Sequence, residues 1–215
     1  MNIIFMGPPA AGKGTYASLM KEEFEIPHIS TGDLFRAIAS KNDPLAVEIK
    51  SYIDNGLLVP DKLTIKLVID RLGKADCKNG FILDGFPRTL NQAIELNRTL
   101  NDLGKKIDKV ILLDVSFDLI CKRITGRRTC ENCAKVYNIY TMPSAKGDIC
   151  EECGAKLYQR KDDNEESIKV RYQTYLDQTT EAVNYYKAQN ILVNINGEDS
   201  TQNVFQSIKD ALKGE

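Results

Sequence analysis

A chain of 215 residues that is 42% hydrophobic and 27% charged has the size and composition of one globular domain, or of one core domain carrying insertions. Its net charge of −1 gives no electrostatic reason to expect nucleic acid or an anionic membrane as a partner. No apolar stretch approaches the roughly 20 residues of a membrane-spanning helix, and the start lacks the features of a secretory signal. We therefore expect a cytoplasmic protein whose six cysteines are thiols or metal ligands.

Short apolar runs, taken in chain order, predict the strands of a parallel sheet. Each run is apolar at successive positions rather than at alternate ones, which is typical of strands buried on both faces. Segments with apolar residues at helical spacing separate the runs. This alternation indicates an α/β fold. The predicted strands are 2–6, 27–29, 81–83, 110–115 and 191–195. The predicted helices are 13–24, 61–72, 90–103, 118–126 and 201–212, with one more that is capped by Asp162 or Asp163 and runs through Tyr185.

Two segments interrupt this alternation. Residues 30–59 hold two short helical patterns, broken near Asn42, Asp43 and Pro44. Residues 127–161 are richer in Cys, Gly, Pro and Tyr and indicate a small irregular module. We interpret both segments as insertions on the core, which is how mobile substrate covers are often built.

The first strand and the first helix are joined by a glycine-rich loop. Gly7, Gly12 and Lys13 follow the pattern Gly-x4-Gly-Lys. Glycines let successive N–H groups point at one anion, the helix N-terminus adds partial positive charge, and the lysine adds a full charge. The pattern predicts a phosphate-binding loop (P-loop), against the simpler alternative of a tight turn with an exposed lysine. Gly14 stands where such loops usually have Ser or Thr, but the hydroxyl of Thr15 is one position away.

Charged residues at the junctions between segments indicate a phosphate site. Guanidinium groups make paired hydrogen bonds to phosphate oxygens, whereas the simpler alternative is a set of surface charges. Asp84 directly follows strand 81–83, and a carboxylate at that end of a parallel strand points into the ligand crevice. We expect Asp84 to orient Mg²⁺ through water, with a helix-cap or turn role as the alternative. The arginines are Arg36, Arg88, Arg123, Arg127, Arg160 and Arg171.

Four cysteines form the pattern Cys-x2-Cys-x16-Cys-x2-Cys: Cys130, Cys133, Cys150 and Cys153. Two hairpins that offer two thiolates each predict a tetrahedral Zn²⁺ site, with unliganded thiols or an Fe–S cluster as alternatives. Four protein ligands leave no open position, so the metal should be structural. A zinc ribbon that binds nucleic acid is a rival interpretation, but the module has no basic and aromatic face. Cys77 and Cys121 are most simply core thiols.

Five motifs occur together along the chain: GPPAAGKGT, STGDLFR, DGFPRT, GRR and RKDDNEE. In their order and spacing the chain resembles the adenylate kinases over essentially its whole length. The resemblance implies a monomer with a three-layer α/β/α P-loop fold and a five-stranded parallel sheet. It implies a core of residues 1–29, 60–126 and 162–215, an AMP-binding insertion at 30–59 and a zinc-bearing lid at 127–161.

The activity implied by the resemblance is Mg²⁺-dependent, reversible phosphoryl transfer from ATP to AMP, giving two ADP. The implied ATP-binding residues are Ala10, Ala11, Gly12, Lys13, Gly14, Thr15, Arg127, Val136, Tyr137 and Asp199. The implied AMP-binding residues are Thr31, Arg36, Leu57, Leu58, Val59, Gly85, Phe86, Pro87, Arg88, Gln92, Arg160 and Arg171. The implied catalytic residues are Lys13, Arg36, Asp84, Arg88, Arg123, Arg127, Arg160 and Arg171.

Acceptor choice is the finer part of this prediction. By resemblance, Thr31 lies beside the acceptor base and Gln92 hydrogen-bonds adenine. Buried polar groups reject a base that leaves them unpaired, which favours AMP. His28, the only histidine, is expected to be structural, because the attacking phosphate oxygen is already anionic and needs no base.

Alternatives remain open at this point. A kinase for another nucleoside monophosphate would share the fold, and a P-loop ATPase or GTPase would hydrolyse nucleotide without an acceptor. The paired acceptor-side arginines favour a kinase. One residue departs from the family pattern, because Ala10 stands where glycine is usual; if that position needs a positive φ, alanine costs about 1 kcal/mol.

Overall fold

The structure is a computed structural model that describes residues 1–41 and 43–213. The described strands are β1 (Asn2–Met6), β2 (His28–Ser30), β3 (Phe81–Asp84), β4 (Lys109–Asp114), β5 (Arg127–Cys130), β6 (Val136–Asn138), β7 (Leu157–Tyr158) and β8 (Leu192–Asn196). The five predicted strands are present and form one parallel sheet in the order β2-β3-β1-β4-β8. This confirms the predicted α/β fold, with strand ends displaced by about one residue from the predicted bounds.

Helices cover both faces of the parallel sheet. They are α1 (Lys13–Phe24), α2 (Thr31–Ala39), α3 (Pro44–Asp54), α4 (Asp61–Leu72), α5 (Leu90–Asp102), α6 (Phe117–Thr125), α7 (Glu165–Thr174), α8 (Thr180–Ala188) and α9 (Thr201–Lys213). One hydrophobic core holds buried residues of α1, α6, α7 and α9, and the other holds buried residues of α4, α5 and α8. In the described residues, no helix is both long and apolar enough to cross a membrane.

Strand β1 contributes to both cores. Ile3 and Phe5 pack into the first core, whereas Ile4 and Met6 pack into the second. Successive side chains of a strand point to opposite faces, and here both faces are covered by helices. This is why the strand is apolar at every position rather than at alternate ones.

The two segments that interrupt the sequence pattern also lie outside the parallel sheet. Residues 31–39 and 44–54 form α2 and α3, which contact each other. Of the predicted break between them, Asn42 lies outside the described residues, and the Asp43 side chain caps α3 by accepting a hydrogen bond from Ala46 N at 2.8 Å. The second segment contains a separate antiparallel sheet of order β6-β5-β7.

The helix after this small sheet differs from prediction. Asn164 caps α7 by accepting from Ser167 N at 2.9 Å, so the prediction of Asp162 or Asp163 as the cap was wrong. Both aspartates are instead ion-paired with arginines. The single predicted helix is also divided, because a π-helical turn at Tyr175–Thr179 lies between α7 and α8.

Candidate active site

The candidate site lies at the carboxyl end of the parallel strands. The P-loop follows β1, Asp84 ends β3, and α2 follows β2 directly. Ligands of open α/β sheets bind in the crevice at this edge.

Close backbone approach requires glycine where β1 enters the P-loop. Gly7 has φ +134°, and a Cβ built there would lie 2.5 Å from the carbonyl oxygen of Leu113 on β4. Gly12 has φ +101° and precedes the first residue of α1. These two backbone conformations let the chain turn from β1 into the N-terminus of α1, as a phosphate-binding loop requires.

Ala10 adopts the left-handed conformation that the sequence raised as a possibility. Its φ is +57°, a region in which a Cβ costs about 1 kcal/mol relative to glycine. The loop therefore keeps a glycine-type conformation despite the alanine, and the strain is stored beside the candidate phosphate site.

Lys13 is folded onto the loop that carries it. Its Nζ donates to the carbonyl oxygens of Gly7 at 2.9 Å and Pro8 at 2.7 Å. Desolvation lowers the pKa of Lys13 from 10.5 to about 8; Asp84 opposes this shift, and the charges of nearby arginines add to it. The ammonium is therefore held among carbonyls and cations, where an anion would stabilise it.

Asp84 lies against the start of α1. Its Oδ2 is 3.4 Å from His28 Nε2, and a Cβ at Gly14 would lie 3.3 Å from the same oxygen. Burial acts to raise the pKa of Asp84, but the hydrogen bond to His28 and the charge of Lys13 hold it below its usual value. The result is an ionised carboxylate beside the P-loop, which is the ligand type that Mg²⁺ prefers. The close approach also gives a reason for glycine at position 14.

The arginines near the small sheet are oriented by partners. Arg127 binds Asp163 through two hydrogen bonds, one from Nε to Oδ2 at 2.9 Å, and the Asp163 side chain is fully buried. Arg171 donates to Asp162 Oδ2 at 2.8 Å. Such charge-assisted pairs fix guanidinium geometry, so two acidic residues that the sequence indicated as helix caps instead orient the candidate phosphate ligands.

The cleft holds more positive charge than these partners neutralise. Desolvation and, second to it, the charge of Arg127 lower the pKa of both Arg160 and Arg171 to about 10. Arg88 is shifted in the same direction by burial. All remain cations at neutral pH, so a phosphate anion entering the cleft would relieve their mutual repulsion.

A pocket between α2, α3 and the loop after β3 contains most of the predicted acceptor residues. Those that line it are Thr31, Arg36, Leu57, Leu58, Val59, Gly85, Arg88, Gln92 and Arg171. The pocket is also lined by residues that were not predicted to bind the acceptor: Gly32, Phe35, Ile53, Gly56, Thr64 and Asp162. Helical spacing offered a signal for Phe35, since it lies one turn after Thr31 on α2.

Gly85 holds the polar wall of this pocket together. Its carbonyl oxygen accepts from Thr31 Oγ1 at 2.8 Å and from Arg88 Nε at 2.7 Å. Its φ is +76°, and a Cβ there would lie within 2.9 Å of both side chains. Phe86, by contrast, is 1% exposed and packs into the hydrophobic core, and it does not line the pocket; neither does Pro87 or Arg160.

Arg123 contacts the backbone of two loops at the candidate site. It donates to the carbonyl oxygens of Ala11 at 3.1 Å and Gly197 at 2.8 Å. It therefore ties the P-loop to the loop that follows β8. Asp199 in that second loop is exposed, and its carboxylate accepts hydrogen bonds from Ser200 N and Asn203 Nδ2.

The four predicted metal ligands come together in the small sheet module. The Sγ atoms of Cys130, Cys133, Cys150 and Cys153 all lie within 4.8 Å of one another. Sulfur ligands at about 2.3 Å around a tetrahedral Zn²⁺ would be separated by slightly less than 4 Å, so the cluster fits zinc.

Two equivalent turns build this cluster. Cys130 O accepts from Ala134 N at 3.2 Å, and Cys150 O accepts from Gly154 N at 3.0 Å. Ala134 and Gly154 both adopt positive φ, +59° and +74°. Each turn therefore presents its pair of thiols in the same way.

Tyr137 is part of the cysteine cluster rather than an exposed surface. Its ring is 3% exposed, and its hydroxyl lies 3.4 Å from Cys150 Sγ and accepts from Glu151 N at 2.9 Å. The hydrogen bond between the Tyr137 hydroxyl and Cys150 Sγ is the largest of several effects that lower the pKa of Cys150, and a lower pKa favours the thiolate that a metal requires. The neighbouring Val136 is half-buried on β6 and pairs with Thr129.

A P-loop lysine, an acceptor pocket and arginines between them define a nucleoside monophosphate kinase, a transferase of P-loop fold. Comparison with known sequences makes the assignment specific: a sequence model of the family "Adenylate kinase" matches residues 5–191. The chain belongs to the adenylate kinase family.

Full-length relatives agree with this assignment. The chain is 50% identical over 213 residues to the adenylate kinase of Clostridium tetani, covering 99% of this chain and 98% of the relative. It is 49% identical over 214 residues to that of Bacillus licheniformis, covering 100% and 99%. It is 50% identical over 212 residues to that of Thermoanaerobacter sp., covering 99% and 98%.

Replacing Ala10 with glycine should stabilise the protein by about 1 kcal/mol, because glycine adopts positive φ without a Cβ penalty. Equilibrium unfolding in urea measures this change. The matched control is Ala11→Gly, since Ala11 is fully buried and outside the positive-φ region. That variant should lose stability, and an Ala10→Gly protein no more stable than the parent would contradict the strain.

The protein should take up protons when it binds nucleotide near pH 8. With a pKa of about 8, Lys13 is about half neutral at that pH, and a bound phosphate raises the pKa by stabilising the ammonium. ATP affinity should therefore fall as the pH rises through 8. Calorimetric titration in buffers of different ionisation enthalpy measures the uptake at pH 8 and pH 7.

The control for this experiment is Lys13→Arg, whose guanidinium stays charged throughout this range. The uptake at pH 8 should be absent from this variant. Equal uptake by both proteins would assign the proton to another group.

Proposed function

We propose that this protein catalyses Mg²⁺-dependent, reversible transfer of the γ-phosphoryl group of ATP to AMP, giving two ADP. The observation that carries the proposal is the proximity of the P-loop lysine to the acceptor-pocket arginines. The charges of Arg88 and Arg171 both act on Lys13, although they line a pocket formed by other elements. A donor phosphate on the P-loop would thus meet an acceptor phosphate in this pocket.

Positioning and charge stabilisation should account for catalysis. The P-loop N–H groups and Lys13 would bind the β- and γ-phosphates of ATP. Arg36 and Arg88 would bind the acceptor phosphate. The group in transfer would be surrounded by Arg123, Arg127, Arg160 and Arg171. Because the acceptor oxygen is already anionic, no general base is needed. Electrostatic stabilisation of the transferring group would make the largest contribution to lowering the reaction barrier.

Asp84 is the proposed anchor for magnesium. Its carboxylate is ionised, lies next to the P-loop and is held by His28, which suits an oxygen ligand that acts directly or through water. When bound, Mg²⁺ would neutralise developing phosphate charge. His28 would orient Asp84, in agreement with a structural rather than a catalytic role.

Two covers would exclude water from the transfer. We assign residues 1–29, 60–126 and 162–215 to the core, 30–59 to an AMP-binding insertion and 127–161 to a lid. Water competes with AMP as acceptor, so closure of both covers would favour transfer over hydrolysis.

Structural Zn²⁺ is the proposed occupant of the cysteine cluster. Four thiols with mutually close sulfur atoms leave no position for substrate. The metal would stabilise a module whose own core is limited to Cys130, Tyr137 and Cys150 with a few partly buried neighbours. Thiolate ligands suit a reducing cytoplasm, which is the proposed location. We also propose that the protein is a monomer, as expected for the family.

The acceptor assay tests the proposed reaction. With Mg-ATP fixed, AMP should give strong ADP formation, CMP, UMP and GMP much less, and an acceptor-free control almost none. Thr31→Ala and Gln92→Ala should reduce the preference for AMP while transfer persists. Equal turnover with another monophosphate would contradict the acceptor, and acceptor-independent hydrolysis would contradict the kinase reaction.

Metal analysis tests the zinc proposal. The purified protein should contain about one zinc per chain, and Cys133→Ser or Cys153→Ser should lose it. Loss of the metal should lower the melting temperature by at least about 5 °C, which corresponds to about 2 kcal/mol for a chain of this size. Cys121→Ser, outside the cluster, is the control and should keep its zinc. A metal-free protein with the melting temperature of the parent would contradict a structural metal.

A further inference from the structure

An aspartate outside the pocket holds three side chains at the N-terminus of α5. Asp61, the first residue of α4, accepts from Gln92 Nε2 at 2.7 Å through Oδ1. Its Oδ2 accepts from Thr89 Oγ1 at 2.8 Å and Asn91 Nδ2 at 3.0 Å. Asp61 does not line the acceptor pocket, whereas Gln92 does. The carboxylate can therefore act on a ligand there through Gln92.

The partners of Gln92 allow its amide only one orientation. Its Oε1 accepts from the backbone N–H of Arg88 at 2.8 Å, while Nε2 donates to Asp61. A backbone N–H can only donate and an ionised carboxylate can only accept. Rotating the amide by 180° would set donor against donor and acceptor against acceptor. Gln92 is 2% exposed, so water cannot readily compensate such a mismatch.

A fixed amide discriminates between purines. Each amide atom has one hydrogen-bonding position left, a donor on Nε2 and an acceptor on Oε1. Adenine presents the N6 amino donor beside the N1 acceptor, whereas hypoxanthine and guanine present O6 as an acceptor beside N1–H as a donor. A carboxamide of fixed orientation can pair with only one of these two orders of donor and acceptor. With the reversed order, it sets donor against donor and acceptor against acceptor.

We propose that Asp61 is a positioning residue that sets the preference for adenine by fixing the orientation of the Gln92 amide. This inference rests on the proposed AMP-acceptor function. Asp61 also follows the segment Leu57, Leu58 and Val59, which lines the pocket, so it joins two walls of the site. A role limited to helix capping would change stability but leave the choice of base unaltered.

The test compares AMP and IMP as acceptors for Asp61→Asn and Asp61→Ala at fixed Mg-ATP. Asparagine keeps the shape but can place an amino group against Gln92 Nε2, so the Gln92 amide is no longer held in one orientation. We expect the ratio of kcat/KM for AMP to that for IMP to fall by about tenfold, through a higher KM for AMP. The kcat and the KM for ATP should change little. The control is Asp70→Asn, which removes an exposed carboxylate from the same helix and should behave as the parent.

A second readout does not depend on turnover. In the parent protein, the side-chain amide protons of Gln92 should exchange slowly with solvent in NMR spectra. They should exchange faster in Asp61→Asn but not in Asp70→Asn. Because this readout uses Asp61→Asn, it still tests the proposal if Asp61→Ala fails to fold.

The outcomes separate the two proposals. A parent protein that does not prefer AMP would overturn the proposed acceptor. A parent that prefers AMP, together with an Asp61→Asn variant that keeps the same ratio and the same Gln92 exchange, would overturn only the role of Asp61. An equal rise in the KM for ATP would also overturn it, because the effect would then not be confined to the acceptor.

Discussion

The site depends on one constraint: it holds like charges close together in a poorly hydrated cleft. Desolvation and neighbouring cations lower the pKa of Lys13 to about 8 and those of Arg160 and Arg171 to about 10. Asp162 and Asp163 hold two of the arginines in place but leave the cleft positive. Phosphate binding therefore does more than add contacts, because it removes an existing repulsion. Two nucleotides that bring phosphates from opposite sides are the kind of ligand that such a cleft favours.

The core of the fold could be predicted because its signals are local. Buried parallel strands are continuously apolar, and the glycine spacing of the P-loop depends on backbone geometry that the sequence reports directly. Strand ends were less accurate: β4 is Lys109–Asp114 rather than 110–115, since pairing with β1 and β8 decides where the ladder ends. The predicted cap of α7 was wrong because both candidate aspartates bind arginines instead. Asp163 pairs with Arg127, 36 residues earlier in the chain, and Asp162 pairs with Arg171 on α7 itself.

The candidate site could be predicted in its residue types more than in its side-chain directions. The four cysteines lie close together, and most of the predicted acceptor residues line one pocket. Tyr137 and Arg123 illustrate what a linear motif omits: the ring of Tyr137 lies against Cys150, and the guanidinium of Arg123 binds two backbone carbonyls. The contact between His28 and Asp84 exists because β2 and β3 are neighbours in the sheet, an arrangement that no nearby sequence signal encodes.

The alternating packing of β1 has a mechanical consequence. The strand that leads into the P-loop places Ile3 and Phe5 in one layer and Ile4 and Met6 in the other. Beyond it, Gly7 fits against β4 with no space for a side chain. The loop thus begins at a point that is packed on three sides, by the two hydrophobic cores and by β4. In the proposed reaction, the P-loop would therefore hold the donor phosphates in one place while the two outer segments close over them.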